Sequence, residues 1–361
     1  MDRLAWTEPD ADESAIEGLV ASLGVLDGLE ADLTAWPARL WSALEDAGAT
    51  RWSLAREFGG LECPRPLLVE RYARLATGSL TAVFILSQHD AAVRRLAAAE
   101  ANPIARRSLE LVGSGQAFPT VGISHLTTSR RLGLRPVVAI ETDRGYRLDG
   151  TIPWVTAAAR ADFLVTAAAL DDGRHFLVGL PSDRAGVTVR PPFDLAALQA
   201  SGTTEVLLEG VMVEAEELLA GPAHDLAAQP GAVGTAGLET SALALGQARS
   251  ALIALDSLAA DRADLLPPLD ALVDQWRIAW DQLIAQARGE AGLVSASDIR
   301  ATANNLVLRS TQAYLTARKG SGFLRSDPAQ RWARQALFFL VWSCPTPVAQ
   351  AALREMAGIR A

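Results

Sequence analysis

The sequence predicts an α+β protein whose three parts follow one another in the order helical, sheet, helical. Residues 12 to about 115 are rich in Ala, Leu, Arg and Glu, with apolar residues at helical spacing. The pattern then changes to alternating β-branched residues interrupted by turns until about residue 222, and helical periodicity returns from about residue 233. We therefore expect an N-terminal α-helical domain over residues 1–115, a middle β-barrel or sandwich domain over 116–222 and a C-terminal α-helical bundle over 223–361.

Two helices of the first part are predicted by apolar repeats. The repeats consist of Leu67, Val69, Tyr72, Ala73 and Leu75 in one helix, and of Ala91, Val93, Leu96 and Ala97 in the other. Gly59, Gly60 and Pro64 are turn residues that precede the first repeat, so we expect a non-helical connection there.

The middle part contains two predicted hairpins. RPVVAIETDRGYRLDG turns at Asp-Arg-Gly, and FLVTAAALDDGRHFLVGLP turns at Asp-Asp-Gly. The later segment TTEVLLEGVMV alternates apolar and polar residues, which predicts a further strand.

In the last part, a helix is predicted to start after Pro267 and Pro268. Its apolar stripe consists of Leu269, Leu272, Trp276, Trp280 and Leu283. Because this stripe is wide enough to pack against more than one helix, we expect the C-terminal bundle to carry a subunit interface.

Length and charge limit the function classes. The chain has 361 residues, half of them hydrophobic, so a large core can form. The formal net charge is −9 and the basic residues are scattered, which argues against a nucleic-acid partner. An anionic cofactor could still bind, because helix N-termini and single arginines supply a local positive field.

The sequence also gives expectations about location and metals. No apolar run reaches the roughly 18 to 20 residues that a membrane helix needs, and the acidic start MDRLAWTEPDADES does not resemble a secretory signal. We expect a soluble cytoplasmic protein with no membrane partner. Cys63 and Cys344 are the only cysteines and have no metal-ligand spacing, so we expect free thiols and no metal site.

Several segments, taken in order, resemble the acyl-CoA dehydrogenase family. They are AREFGGLECPRPLLVERYARL, FPTVGISHLTTS, YRLDGTIPWVTAAARADFLVTAA, SGTTEVLLEGVMVEAEELLAG and KGSGFLRSDPAQRWARQA. The second segment falls where the family has its Thr-Glu-Pro loop over the flavin, and the last resembles the family's Gly-rich turn and following helix. The resemblance covers nearly the whole chain and implies the family's α, β, α fold.

The resemblance implies an FAD cofactor, and weak binding or loss of the flavin stays open as an alternative. Trp154, Thr156 and Ser124 match the residues at the flavin ring, and the hydroxyls would meet its polar edge. Nearer the pyrophosphate, the corresponding residues are Arg262, Gly320 and Gly322. In the family this Gly-rich turn acts across a dimer interface, so the resemblance also implies a homodimer or homotetramer. Leu265 and Leu266 replace the Phe and Gly that follow the family's arginine, which should weaken FAD binding.

Acyl-CoA dehydrogenation also needs a carboxylate base, which removes the α-proton of the thioester. The family's usual Glu position corresponds to Ser343, and a hydroxyl is not a carboxylate base at neutral pH. The neighbouring Cys344 is more simply interpreted as an inert thiol. Relatives with the base on the first helix of the C-terminal bundle would have it at Ala236, next to Gly237 in place of an arginine. Glu239, about one helical turn further on, is the alternative base.

Three hypotheses remain open at this point. The first is an atypical flavoenzyme that oxidises the CH–CH group of an acyl thioester or a related small molecule. The second is a two-component flavin monooxygenase, in which His125 beside Ser124 would assist the oxygen chemistry. The third is a non-catalytic homologue that serves assembly or partner binding.

Overall fold

Helices occupy the two ends of the chain and strands its middle in a computed structural model of the protein. The structure describes residues 2–127, 137–226, 237–290, 294–342 and 346–359. The helices are α1 (Glu13–Glu30), α2 (Ala38–Asp46), α3 (Arg65–Gly78), α4 (Leu80–Ala98), α5 (Pro103–Gly113), α6 (Ser124–Thr127), α7 (Leu238–Ala259), α8 (Leu266–Arg288), α9 (Ala296–Arg318), α10 (Pro328–Leu337) and α11 (Thr346–Met356). The strands are β1 (Pro119–Gly122), β2 (Val138–Thr142), β3 (Gly145–Val155), β4 (Phe163–Ala169), β5 (His175–Pro181), β6 (Val187–Val189), β7 (Thr204–Glu214) and β8 (Leu218–Ala223). The predicted helical, sheet, helical fold class is confirmed.

Helix α4 crosses the middle of the molecule and is buried along most of its length. Its first turn is capped by Ser79, whose hydroxyl accepts a hydrogen bond from the backbone N–H of Ala82 at 3.1 Å. The helix packs against α3 on one side and against β1 on another. It therefore links the helical part to the sheet.

The described strands form one sheet in the order β6-β7-β3-β2-β4-β5-β8, and β1 pairs with β4 in parallel. Both predicted hairpins are present as antiparallel pairs, β2 with β3 and β4 with β5. The long strand β3 pairs with β7, but the register shifts between Ile152 and Val155. That irregularity lies at the segment that the sequence predicts to touch a cofactor.

The apolar stripe of α8 is buried inside the chain and does not itself form a subunit surface, so the expected subunit interface of the C-terminal bundle stays a prediction. Trp276 and Trp280 are fully buried, and their rings stack at a centroid distance of 5.6 Å. The Trp276 indole N–H donates to the carbonyl of Leu245 in α7 at 2.9 Å, and Trp6 packs edge-on against both tryptophans. These contacts cover the apolar face of α8, whose packing partner the sequence alone does not identify.

Large apolar side chains are exposed elsewhere in the C-terminal part. Phe323 is 81% exposed, and Leu324, Leu337 and Val341 are also exposed. None of the helices in the described ranges combines the length and the apolar character needed to cross a bilayer.

Candidate functional site

Trp154 lies at an irregularity near the end of β3. Its backbone φ is +58°, in the left-handed region, and the register of β3 against β7 is broken between Ile152 and Val155. A β-bulge of this kind turns a side chain out of the regular alternation. The Trp154 indole is 44% exposed, with one ring contact to Phe193 at 5.0 Å. A left-handed backbone conformation costs a bulky residue about 1–3 kcal/mol, and residues strained in this way are typical of functional sites.

Thr156 follows in a buried hydroxyl cluster. Its Oγ1 lies 3.2 Å from Oγ1 of Thr203, which in turn lies 2.9 Å from the Ser201 hydroxyl. The carbonyl of Thr156 accepts a hydrogen bond from Thr120 of β1 at 2.8 Å. The bond from β1 holds the backbone, while the threonine hydroxyls can reorient to donate or accept.

Ser124 and His125 start the short helix α6 directly after β1. The Ser124 hydroxyl donates to the carbonyl of Pro153 at 2.9 Å, which brings the predicted loop residue beside Trp154. Nε2 of the buried His125 lies 2.9 Å from the carbonyl of Ala167, whereas its Nδ1 has no hydrogen-bond partner among the residues that the structure describes. Burial lowers the pKa of His125, so the ring is neutral near pH 7 and Nε2 is the donor.

Arg262 and the two glycines form a second group, in the C-terminal bundle. Nη1 of Arg262 donates to the carbonyl of Ala317 at 3.0 Å, and its Nη2 pairs with Asp264 at 2.8 Å. Ala317 lies at the end of α9, just before the 3-10 segment that contains Gly320 and Gly322. The structure thus brings all three predicted pyrophosphate residues to one corner of the bundle.

The two glycines of that corner differ in their surroundings. A Cβ on Gly322 would lie 2.6 Å from Cβ of Arg318, so the turn needs glycine there, whereas a Cβ on Gly320 would meet open space. Arg318 pairs with Asp327 at 2.6 Å, and Asp327 caps α10 through the N–H of Ala329. The turn is therefore held rigidly while its Gly320 backbone remains accessible.

Ser343, the predicted base position, lies outside the described residues, as do Cys344 and Ala236. Trp342, the residue before Ser343, lies against α4. The Trp342 ring packs edge-on against Phe84 of α4 at 4.9 Å and stacks on Phe338, and its carbonyl accepts from Arg300 at 3.0 Å.

Glu239, the alternative base, is held in an ion-pair cluster at the start of α7. Its Oε1 lies 2.5 Å from Nη1 of Arg65 and 3.3 Å from Nη2 of Arg94. Burial alone would raise its pKa, but the charges of Arg94 and Arg65 outweigh burial and lower the pKa to about 2. A carboxylate stabilised in this way is a weak proton acceptor. Gly237 leaves the room that this carboxylate needs, since a Cβ there would lie 2.3 Å from Oε2.

A buried polar network adjoins this cluster and was not foreseen from the sequence. The Tyr72 hydroxyl donates to Oδ2 of Asp90, and Nδ1 of His89 lies 3.0 Å from Oδ1 of the same carboxylate. Burial raises the pKa of Tyr72 well above its usual range, so its hydroxyl stays a donor. The adjacent His89 and Asp90 are visible in the sequence, but only the packing of α3 on α4 brings Tyr72 to them.

No protein-family model matches the chain. Among curated proteins, a probable acyl-CoA dehydrogenase of Bacillus subtilis is 24% identical over 244 residues, which make up 62% of this chain. The match covers 64% of that relative's length, so the chain spans less than two thirds of it.

Solved structures match over almost the whole chain. Butyryl-CoA dehydrogenase of Megasphaera elsdenii is 18% identical with a TM-score of 0.81, and 99% of this chain and 100% of that chain are covered. The dibenzothiophene monooxygenase of Paenibacillus sp. A11-2, in complex with FMN and indole, is 20% identical with a TM-score of 0.80, at a coverage of 96% and 97%. In fold, and in the order of its sequence motifs, the chain is acyl-CoA dehydrogenase-like.

Proposed function

We propose that the protein binds FAD and acts as an oxidoreductase on the CH–CH group of an acyl thioester, with an atypical proton-transfer step because Ser343 replaces the carboxylate base. The observation that carries this proposal is the strained, exposed Trp154, which lies two residues before the Thr156 hydroxyl and next to Pro153, whose carbonyl accepts from Ser124. An aromatic wall next to small hydroxyl donors is what a flavin ring requires of its protein.

The residues present fit a flavin on two grounds. Trp154 is partly exposed, and within the described residues the hydroxyl of Thr156 forms its hydrogen bond with another hydroxyl that can reorient. Arg262 and the open backbone at Gly320 offer positive charge and N–H groups to a pyrophosphate. When bound, the flavin supplies the acceptor for the hydride of the substrate.

The residues proposed for the flavin ring lie in the middle part of the chain, whereas those proposed for the pyrophosphate lie in the C-terminal part. We infer that the corner with Arg262, Gly320 and Gly322 serves the cofactor of a second subunit, with the exposed Phe323 and Leu324 at the subunit contact. Apolar side chains as exposed as these are typical of an interface. A homodimer or homotetramer is therefore part of the proposal.

The remaining roles, which are holding the flavin ring and transferring the proton, fall to side chains of this protein. Trp154 positions the ring plane, while Thr156 donates a hydrogen bond at its polar edge and Ser124 holds the backbone at Pro153. Phe84 and Trp342 pack edge-on and form an apolar contact between α4 and the C-terminal part. Since a serine stands where the family has its base, proton removal from a simple saturated thioester should be slow.

A flavin monooxygenase is the second candidate. The monooxygenase from Paenibacillus has the same fold, and the buried, neutral His125 carries an unpartnered Nδ1 that could accept a proton beside the ring site. Flavin that binds only after reduction, together with oxygen consumption that falls in His125→Ala, would favour this function. If no flavin binds in either redox state, the third hypothesis, a non-catalytic homologue, is the better one.

The test is a titration of the purified protein with FAD, followed by fluorescence quenching and thermal shift, and repeated with FMN. We expect saturable FAD binding that Trp154→Ala weakens. Met212→Ala is the matched control, because Met212 is an exposed apolar residue of β7 in the same sheet. Equal affinities of the parent and Trp154→Ala would contradict the assignment of the ring site.

A further inference from the structure

The loop over residues 193–203 contacts both Trp154 and Thr156, which the sequence predicts at the flavin ring. At the start of the loop, Phe193 packs against the Trp154 ring at a centroid distance of 5.0 Å. At its end, Oγ1 of Thr203 lies 3.2 Å from Oγ1 of Thr156. A shift of this loop would therefore displace the neighbours of both side chains together.

Hydrogen bonds within the loop hold its two ends together. Oε1 of Gln199 accepts from the backbone N–H of Leu195 at 2.7 Å, and its Nε2 donates to the carbonyl of Phe193 at 2.9 Å. The backbone N–H of Phe193 in turn donates to the carbonyl of Thr203 at 3.0 Å. Gln199 is buried, so water competes little for these bonds. The loop is thus braced as one unit.

Arg334 of α10 connects this loop to two other parts of the chain. Its Nη1 donates to the carbonyl of Ala196 at 2.8 Å, and its Nη2 pairs with Asp32, just after α1, at 2.7 Å. Nε of the same guanidinium donates to Gln330, one turn earlier in α10, at 3.0 Å. A planar guanidinium with three partners has a fixed orientation. Arg334 therefore fixes the middle of the loop relative to α10.

A backbone hydrogen bond attaches the loop a second time near the same place. The N–H of Ala200 donates to the carbonyl of Ala31, the residue before Asp32, at 3.2 Å. Without Arg334, the Ala196 carbonyl loses its side-chain donor, but the Ala200 bond still ties the loop to the end of α1. We therefore expect loss of this arginine to displace the loop locally and not to unfold the protein.

We propose that Arg334 is a positioning residue: through the loop 193–203 it sets the orientation of Trp154 and of the Thr156 hydroxyl, and thereby the affinity of the site for the flavin ring. The part that concerns affinity rests on the proposed function. Trp154 needs this support, because its backbone is strained and Phe193 is its one aromatic neighbour within the described residues. An exposed indole whose neighbour has moved is no longer a preformed wall for the ring.

The first measurement follows Trp154 in the protein without flavin. All nine tryptophans are labelled with fluorotryptophan, and the fluorine NMR resonance that disappears in Trp154→Phe belongs to Trp154. We expect Arg334→Gln to shift or broaden this resonance. Arg334→Lys should keep it closer to its position in the parent protein, because a lysine can still donate to the Ala196 carbonyl. A general loss of stability would not move this resonance alone.

The second measurement is the Kd for FAD, determined by fluorescence quenching. A displaced wall and a misdirected Thr156 hydroxyl predict a Kd about tenfold higher in Arg334→Gln, as for the loss of one hydrogen bond. The effects of Arg334→Gln and Gln199→Leu on Kd should not multiply, because both substitutions release the same loop. Circular dichroism verifies that each variant is folded. If Arg334→Gln does not fold, Gln199→Leu tests the loop with the same two measurements.

Arg184→Gln is the matched control. Arg184 also joins a carboxylate, that of Glu217, to a backbone carbonyl, that of Met212, but it lies outside the loop. This variant should change neither the Trp154 resonance nor the Kd. A Trp154 resonance that Arg334→Gln leaves in place, an equal change in Arg184→Gln, an unchanged Kd or effects that multiply would overturn the proposal. A shifted resonance in a protein that binds neither FAD nor FMN would overturn the flavin function alone, because Arg334 would still be shown to orient Trp154.

Discussion

Gly246 of α7 lies so close to Ala73 of α3 that a Cβ on Gly246 would stand 2.1 Å from the Ala73 carbonyl oxygen. This contact sets the distance between the first helix of the C-terminal bundle and the N-terminal helices. Both ends of the Arg65–Glu239 ion pair lie on the same two helices. The position of Glu239 therefore depends on a glycine almost two turns away.

We expect Gly246→Ala to destabilise the protein by about 1–3 kcal/mol, the usual range for overpacking, because the neighbouring Ala73 carbonyl is backbone and cannot move aside alone. Gly28→Ala in α1 is the control, since a Cβ there meets nothing within 4 Å. It should stabilise the helix by about 0.5–1 kcal/mol. Urea unfolding measures both free energies, and equal effects of the two substitutions would contradict this packing.

The Glu239 ion pairs should make stability depend on pH. The folded pKa of about 2 lies below the ordinary value of 4.5, so the carboxylate stabilises the fold above pH 4.5 and loses this contribution as the pH falls towards 2. The difference in pKa corresponds to about 3 kcal/mol. We expect Glu239→Gln to lower the free energy of unfolding by about 3–5 kcal/mol at pH 7, because two arginines lose their partner.

Urea unfolding of the parent and Glu239→Gln at pH 7 and pH 3 checks this dependence. The difference between them should shrink by about half at pH 3, because the Glu239 carboxyl is then protonated in the unfolded state but still mostly ionised in the folded state. A difference that is the same at both pH values would show that the substitution acts through packing and not through charge.

Removing the hydroxyl of Thr156 should weaken flavin binding without unfolding the protein. Thr156→Val keeps the shape of the side chain and leaves Thr203 its contact with Ser201. The loss of one hydrogen bond to the ring predicts a Kd for FAD about tenfold higher. Thr311→Val, which removes a buried hydroxyl bonded to the Val307 carbonyl of α9, should leave this Kd unchanged. An unchanged Kd in Thr156→Val would remove that residue from the ring site.

The fold class could be predicted because periodicity reports which face of each element is buried. The hairpins at Asp143 and Asp172 were predictable from local turn chemistry. The burial of Trp276 within its own chain was not predictable, since an apolar stripe shows that a helix face is buried but not which partner covers it. In the structure, α7 and Trp6 of the same chain pack against that face.

The site was only partly predictable for the same reason. Ser124 lies beside the segment that contains Trp154, as the order of motifs indicated, but the left-handed backbone at Trp154 has no sequence signal. Arg65 and Arg94 were missed because isolated arginines on helices usually face solvent. Their pairing with Glu239 depends on three helices that are distant in sequence.

Turnover of simple saturated acyl-CoAs should be very low, even with flavin bound. Loss of a general base costs about 10² to 10⁴ in rate, and Ser343 is the residue that the resemblance predicts at the base position. Glu239 is a poor substitute, because two arginines hold it as a carboxylate with a pKa of about 2. The measurement is bleaching of the flavin absorbance by butyryl-CoA and octanoyl-CoA in the parent, Glu239→Gln and Ser343→Glu, with rates taken per folded, flavin-bound protein.

We expect slow bleaching in the parent, little change in Glu239→Gln and a faster rate in Ser343→Glu, since that substitution restores a carboxylate at the family position. Rapid bleaching by the parent that persists in Glu239→Gln would refute the assignment of an impaired base. Rapid bleaching that disappears in Glu239→Gln would instead identify Glu239 as the base, and would require the ion pairs with Arg65 and Arg94 to open when substrate binds.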